Sequence, residues 1–246
     1  MRIRVGHLYP EYLNIYADRG NIAVLERRAA ARGYEIELVP LSFRDRIPRA
    51  GIDLFYVGGG QDREQALIAP DLAEKGAAIA EAVSGGAVVL AVCGGYQLLG
   101  RYYKDRAGSE LPGIGLLPLH TEAGTHRMIG DVVITCDWAG ARLAGFENHI
   151  GQTILEDGAE PLGRVEHGFG NDGDSGYEGC RAGRVYGTYL HGPLLPRNPW
   201  FADRLIQEAI EHRAQEAVEL APLDDSLEHL AFEISVGRAA ARGGRF

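Results

Sequence analysis

The stretch "GGAVVLAVCGGYQLLGRYY", residues 85–103, decides the fold. Its run from Ala87 to Val92 is apolar throughout, the pattern of a strand buried on both faces of a parallel sheet. The run stops on Cys93, passes two glycines and enters the helix-like "YQLLG" with no loop between. A strand, one reactive side chain and a helix joined this tightly have the layout of a nucleophile elbow, which holds the side chain above the sheet. So sharp a turn leaves little room around the nucleophile, which favours residues without Cβ at Gly94 and Gly95. The helix N-terminus favours a thiolate at Cys93, and its backbone N–H groups can bind an oxyanion.

Upstream of the elbow, strand and helix patterns alternate. "IRVGHL" (3–8) reads as a strand, and "NIAVLERRAAARG" (21–33) as a helix with Asn21 as N-cap and Gly33 as stop. "EIELV" (35–39) and "DLFYVGGG" (53–60) read as strands, with an amphipathic helix from Asp71 to Ser84 between the latter and the elbow strand. This alternation predicts an α/β fold with a mostly parallel central sheet flanked by helices. From about residue 113 glycine is frequent and helix patterns vanish, and "MIGDVVITC" and "RVYGTYLHG" predict a β-rich second half. Helices return at Pro199, behind Asn198 as N-cap, and again from Leu223 towards Arg238, with "RGGRF" fraying at the end. We expect one domain over 1–215 and a helical extension with a tail over 216–246.

Composition narrows the function. The chain has 246 residues, a net charge of −9, 46% hydrophobic and 24% charged residues. No run approaches the roughly 20 apolar residues of a membrane span, and no signal segment is visible at the amino end, so a cytoplasmic location without membrane insertion is expected. Lys75 and Lys104 are the only lysines among 25 basic residues, and no basic stripe argues for nucleic acid. Cys93, Cys136 and Cys180 form no CxxC pair and no disulfide framework, as in a reduced compartment. Cys136 and Cys180 sit at no elbow and read as structural.

A thiolate nucleophile needs a base, and His191 in "GRVYGTYLHGPLLPRNP" is the best placed, at the end of a strand-like segment with glycine and proline behind it. His7, His120, His126, His149 and His167 are weaker candidates, and His212 and His229 read as solvated on polar helix faces. The glycine loop in "YVGGGQDREQ" (56–65) fails GxGxxG spacing, and no GK[ST] follows, so it cradles no dinucleotide or nucleoside phosphate. Its expected use is to present a backbone N–H across from Cys93, completing an oxyanion hole with the amide of Gly94.

A glycine loop, a cysteine elbow and a downstream histidine, in this order, resemble the class I glutamine amidotransferases. "VCGGYQLLG" and "TYLHGP" are similar to the cobyric acid synthase type of that superfamily. "LYPEYLNIYADRGNI", "GGGQDREQ", "GFENHIGQT" and "YGTYLHGPLLPRNP" together resemble the GatD family of glutaminase subunits, which works with a Mur-ligase-like synthetase, MurT, on lipid II. The resemblance covers residues 1 to about 215. It implies hydrolysis of L-glutamine to glutamate and ammonia, with Cys93 as nucleophile, His191 as base and then acid, and Gly94 with Gly59 or Gly60 holding the oxyanion. Gln97 would line the pocket and Arg127 would hold the glutamine α-carboxylate. It further implies a hetero-oligomer with the synthetase, no cofactor or metal in this chain, and ATP and Mg on the partner. Where related triad enzymes carry a glutamate two residues past the histidine, this sequence has Pro193. The site therefore reads as a Cys-His dyad or draws a third member from elsewhere, Asp18 in "ADRGN" first and Glu147 second. Two other readings stay open: a glutaminase serving another acceptor such as cobyrinate or a stand-alone γ-glutamyl hydrolase, and a silent regulator that keeps the fold only for binding.

Overall fold

The computed structural model describes residues 1–15, 19–48 and 51–241. In chain order the elements of the first half are β1 (Arg2–Leu8), α1 (Arg19–Ala30), β2 (Glu35–Leu41), β3 (Leu54–Val57), α2 (Asp62–Ser84), β4 (Val88–Val92) and α3 (Gly94–Leu99). Then follow β5 (Tyr102–Lys104), β6 (Glu110–Pro112), β7 (Leu119–Cys136), β8 (Ala141–Leu155), β9 (Gly163–His167), β10 (Tyr177–Glu178), β11 (Cys180–Ala182) and β12 (Val185–Thr188). A 3-10 turn (Leu195–Arg197), α4 (Pro199–Ala214) and α5 (Ser226–Ala241) complete the described chain.

The first sheet has the order β11-β12-β4-β3-β1-β2, in which β11 runs antiparallel to β12 and the other neighbours are parallel. Every residue of β3, β4 and β12 is buried, which is why their sequences are continuous apolar or small runs rather than alternating ones. The second sheet is built on the long antiparallel β7–β8 hairpin, flanked by β9 and β5. A bulge between Ala123 and Met128 interrupts the hairpin's register and re-aims the residues within it.

The β-rich half is therefore divided: the strand of "RVYGTYLHG", β12, pairs not in the second sheet but in the first, with Thr188 in register with Val92. That return carries the chain after β12 to the carboxyl end of β4, where open α/β sheets place their ligands. Three further expectations are corrected. Helix α2 starts at Asp62 rather than Asp71 and runs through Pro70, because Ile68, Ala69 and Leu72 around the proline are all packed into the core. Asn21 caps nothing; it is buried in the first turns of α1, where its Nδ2 donates to the Tyr56 hydroxyl (2.9 Å) and its Oδ1 accepts from the Leu195 amide (2.8 Å). His212 is not solvated on a polar face, since its Nδ1 lies 2.8 Å from Oδ1 of the fully buried Asp53.

Beyond α4 the chain turns back over the domain. The Arg28 guanidinium of α1 donates to both Asp203 and Asp225, and Arg32 donates to Asp203 and to the Ala221 carbonyl, which fastens the segment between α4 and α5 to α1. Phe232, Val236 and Ala239 of α5 pack against Val133 and Ala144 of the β7–β8 hairpin.

Candidate active site

The strand stops on Cys93 because the backbone there leaves the β region altogether. Cys93 has φ 51° and ψ −109°, a conformation L residues rarely adopt and one held here by its surroundings. Its amide donates to the Thr188 carbonyl (2.8 Å), and its carbonyl accepts from the Gln97 amide (3.0 Å), so strand and helix are clamped on either side of the sulfur. The two glycines answer to close approach by the glycine loop. A Cβ on Gly95 would stand 2.7 Å from the Val57 carbonyl oxygen and 2.8 Å from that of Gly58, and one on Gly94 would stand 3.0 Å from the Gly60 nitrogen. The loop backbone thus lies directly against the elbow, with the Gly60 amide beside Gly94. Gly59 sits behind it, where a Cβ would meet Ile15 and the His191 ring.

Cys93 opens into a cavity of about 380 Å³ lined also by Gly60, Asp62, Gln65, Gln97, Tyr103, Arg127 and His149. Gln97 is fixed at both ends of its amide: Gln65 Nε2 donates to its Oε1 (2.7 Å), and its own Nε2 donates to the Tyr189 hydroxyl (3.1 Å). Tyr189 in turn shares a hydrogen bond with Thr153 (2.6 Å), and Thr153 another with Thr121 (2.7 Å), a buried polar chain with its donors and acceptors matched. Arg127 lies in the β7 bulge and lines the cavity, and its Nη1 donates to Asn148 Oδ1 (2.7 Å).

His191 lies three residues past β12 and is fully buried. Its backbone bridges Phe146 of β8 in both directions, at 2.7 and 3.2 Å, tying the histidine segment to the hairpin that carries Asn148 and His149. Burial, reinforced by the charge of His149, presses the imidazole down to about 3, so it is neutral at physiological pH and able to accept a proton. His149 itself holds its Nδ1 2.8 Å from the Gly151 carbonyl and stacks flat on Tyr189 at 3.5 Å, so its ring is fixed in the cavity wall. Glu147 is fully buried, and its carboxylate accepts from the amides of Phe169 (2.6 Å) and Gly170 (2.9 Å) while His149 Nε2 stands 3.7 Å away. Asp18 lies outside the described residues. Burial pushes the thiols of Cys136 and Cys180 up to about 12, which leaves them unreactive.

Glu178 carries no signal in the sequence, and it anchors the end of β12. Its carboxyl accepts from the Tyr189 amide (2.6 Å) and the Thr188 hydroxyl (3.0 Å), two and three residues before His191. Burial raises it to about 8 against those bonds, with the Glu147 charge adding to the rise. A carboxyl raised in the folded state contributes stability that is complete below its ordinary value of 4.5 and is lost as pH rises through 8. Glu178→Gln keeps the shape and the acceptor oxygen without the charge. Its melting temperature relative to the parent is expected to improve between pH 5 and pH 8 by the equivalent of about 4 kcal/mol. A difference between the two proteins that is the same at both pH values would refute the buried neutral carboxyl.

Among the described residues no group of three or more His, Cys, Asp or Glu side chains could hold a metal ion, and no helix is long and apolar enough to cross a membrane. The CobB/CobQ-like glutamine amidotransferase domain family matches residues 4–199. The chain is 38% identical to the lipid II isoglutaminyl synthase (glutamine-hydrolyzing) subunit GatD of Staphylococcus aureus, over 96% of both chains. It is 37% identical to the subunit of the same name from Streptococcus pneumoniae, over 92% of this chain and 87% of that one. In fold it is similar to PurLQS from Thermotoga maritima, with a TM-score of 0.57 over 87% of this chain and 99% of that one at 16% identity. An elbow cysteine, a glycine loop packed against it and a match running through nearly the whole sequence lead to one assignment: the chain belongs to the CobB/CobQ-like glutamine amidotransferases, alongside the GatD subunits.

Proposed function

We propose that this chain is the glutamine-hydrolysing subunit of a two-component synthase that amidates the D-glutamate α-carboxylate of the lipid II stem peptide. The observation that carries the chemistry is Cys93, held in a strained elbow at the floor of a polar cavity and flanked by the Gly60 and Gly94 backbone. In this reading His191 takes the thiol proton as the sulfur attacks the side-chain carbonyl carbon of glutamine. The resulting oxyanion is met by the amides of Gly94 and Gly60. His191 returns the proton to the departing nitrogen, ammonia leaves, and a γ-glutamyl thioester remains on Cys93. Water, deprotonated by His191, then releases glutamate and restores the thiol. Gln97, oriented by Gln65 and Tyr189, positions the substrate side chain, and Arg127 pairs with its α-carboxylate.

Forming an amide from a carboxylate and ammonia requires activation by ATP, and the sequence carries no GK[ST] loop. In this reading a separate, MurT-like subunit supplies the ATP and Mg site, as the subunit names of the GatD relatives support, and both subunits work in the cytoplasm. Residues 1–215 form the glutaminase domain and those beyond it an extension. Similarity to S. aureus GatD over 96% of both chains favours lipid II over cobyrinate as the acceptor pathway. The test is reconstitution with the cognate synthetase, ATP, lipid II and glutamine labelled with ¹⁵N at its side-chain amide. The label is expected in the new carboxamide of lipid II, with glutamine consumption rising at least about tenfold when the synthetase is added. Glutamine hydrolysis that is indifferent to the synthetase, with no label in lipid II, would leave a stand-alone hydrolase instead.

A further inference from the structure

The cavity in front of Cys93 holds more charge than a side-chain amide requires. A free amino acid whose side chain reaches Cys93 must leave both an α-carboxylate and an α-ammonium group within the same cavity. Arg127 answers the first. Among the described residues that line the cavity, Asp62 is the one acid, alongside Arg63 and Arg127. Asp62 opens α2, but its Oδ1 is held from outside the helix, by the hydroxyl of the fully buried Tyr103 at 3.0 Å. Tyr103 also lines the cavity and belongs to β5, whose place between β6 and β7 fixes the phenol. One carboxylate oxygen is thereby tethered to a rigid strand, which orients the second. Tyr103 is a poor acid here, since burial and the neighbouring Asp62 charge both raise it, so the phenol stays a donor and the carboxylate an acceptor.

We infer that Asp62, oriented by Tyr103, accepts the α-ammonium group of glutamine and makes the site selective for the free amino acid over substrates in which that group is absent or acylated. The inference rests on the glutaminase reading above. It is specific because the two ends of the substrate are recognised by different elements, the carboxylate by the β7 bulge and the ammonium by the start of α2. A charge-assisted pair of this kind contributes to binding rather than to the chemical step, so its loss appears in KM.

The probe is glutaramate, the glutamine analogue with hydrogen in place of the α-ammonium group. In the assembled synthase, kcat/KM for glutamine is expected to exceed that for glutaramate by about thirtyfold or more. Asp62→Asn keeps the acceptor for Tyr103 and removes the charge, and should shrink that ratio at least about fivefold through a higher KM for glutamine. Arg127→Ala should depress both substrates by about tenfold or more and leave the ratio as in the parent, because both carry the carboxylate. A ratio that Asp62→Asn leaves within fivefold of the parent's, or a parent that does not prefer glutamine, overturns the role of Asp62 while the glutaminase stands. A parent that hydrolyses neither compound overturns the glutaminase reading and this inference with it.

Discussion

In the assembled synthase, Cys93→Ala should abolish amidation driven by glutamine, by about a thousandfold or more, and leave amidation driven by ammonium salts at the parent rate. The two nitrogen sources separate the two halves of the reaction. On the proposed reading glutamine passes through a Cys93 thioester, whereas free ammonia reaches the synthetase without it. Alanine keeps the Cβ of cysteine, so the unusual backbone at φ 51° is no more strained than before, and the clamp from Thr188 and Gln97 uses only backbone groups. The variant should therefore fold and assemble as the parent does. Cys93→Ser should be nearly as inactive, because a hydroxyl in the same place is far harder to deprotonate than a thiol. Product formed with each nitrogen source, measured at equal complex concentration, decides the matter. Loss of the ammonia-driven reaction in an intact Cys93→Ala complex would mean that the elbow serves the synthetase directly, and appreciable glutamine-driven turnover would remove Cys93 as the nucleophile.

What the sequence reveals of this site follows the range of each interaction. The elbow is local: a buried strand, a cysteine and two glycines occupy one short stretch, and the steric demand that needs the glycines is imposed by backbone a few ångströms away. The parallel sheet is legible for the same reason, since burial on both faces shows in each strand separately. Long-range partnerships leave no such trace. Asn21 has the residue type and position of a helix cap, and nothing nearby announces that Tyr56 and Leu195 will claim its amide. Pro70 looks like a helix boundary until the packing of Ile68 and Leu72 shows what holds α2 through it. Glu178 stands unmarked in a glycine-rich stretch, and only the return of β12 to the first sheet buries it against the Thr188 hydroxyl and the Tyr189 amide. Gln65, Tyr103 and Asn148 are invisible for the same reason: each acts on a residue of another element, Gln97, Asp62 and Arg127 respectively.

His191→Ala is expected to lower kcat/KM for glutamine by about a hundredfold to ten-thousandfold at pH 7, the range spanned by a lost general acid–base group. The pH profile distinguishes this loss from a structural one. Burial holds His191 neutral down to about 3, so on the proposed reading the base is ready over the whole range between that value and the ionisation of the thiol. Activity should therefore be flat from pH 6 to pH 8, with no inflection near the ordinary histidine value. Without His191 the thiol must ionise unaided, and kcat/KM should climb about tenfold per pH unit until the thiolate is fully formed. The same burial that keeps the imidazole neutral also opposes the imidazolium formed during attack, so the proton moves only as the thiolate appears beside it and compensates the charge. His149 competes for the same role, since it lines the cavity and His191 does not. Its ring is nonetheless fixed by the Gly151 carbonyl and by stacking on Tyr189, and His149→Ala should cost less than about tenfold in kcat/KM while keeping the flat profile. If instead His149→Ala produces the rising profile and His191→Ala stays flat, the base is His149, and the buried histidine behind Gly59 only supports the loop.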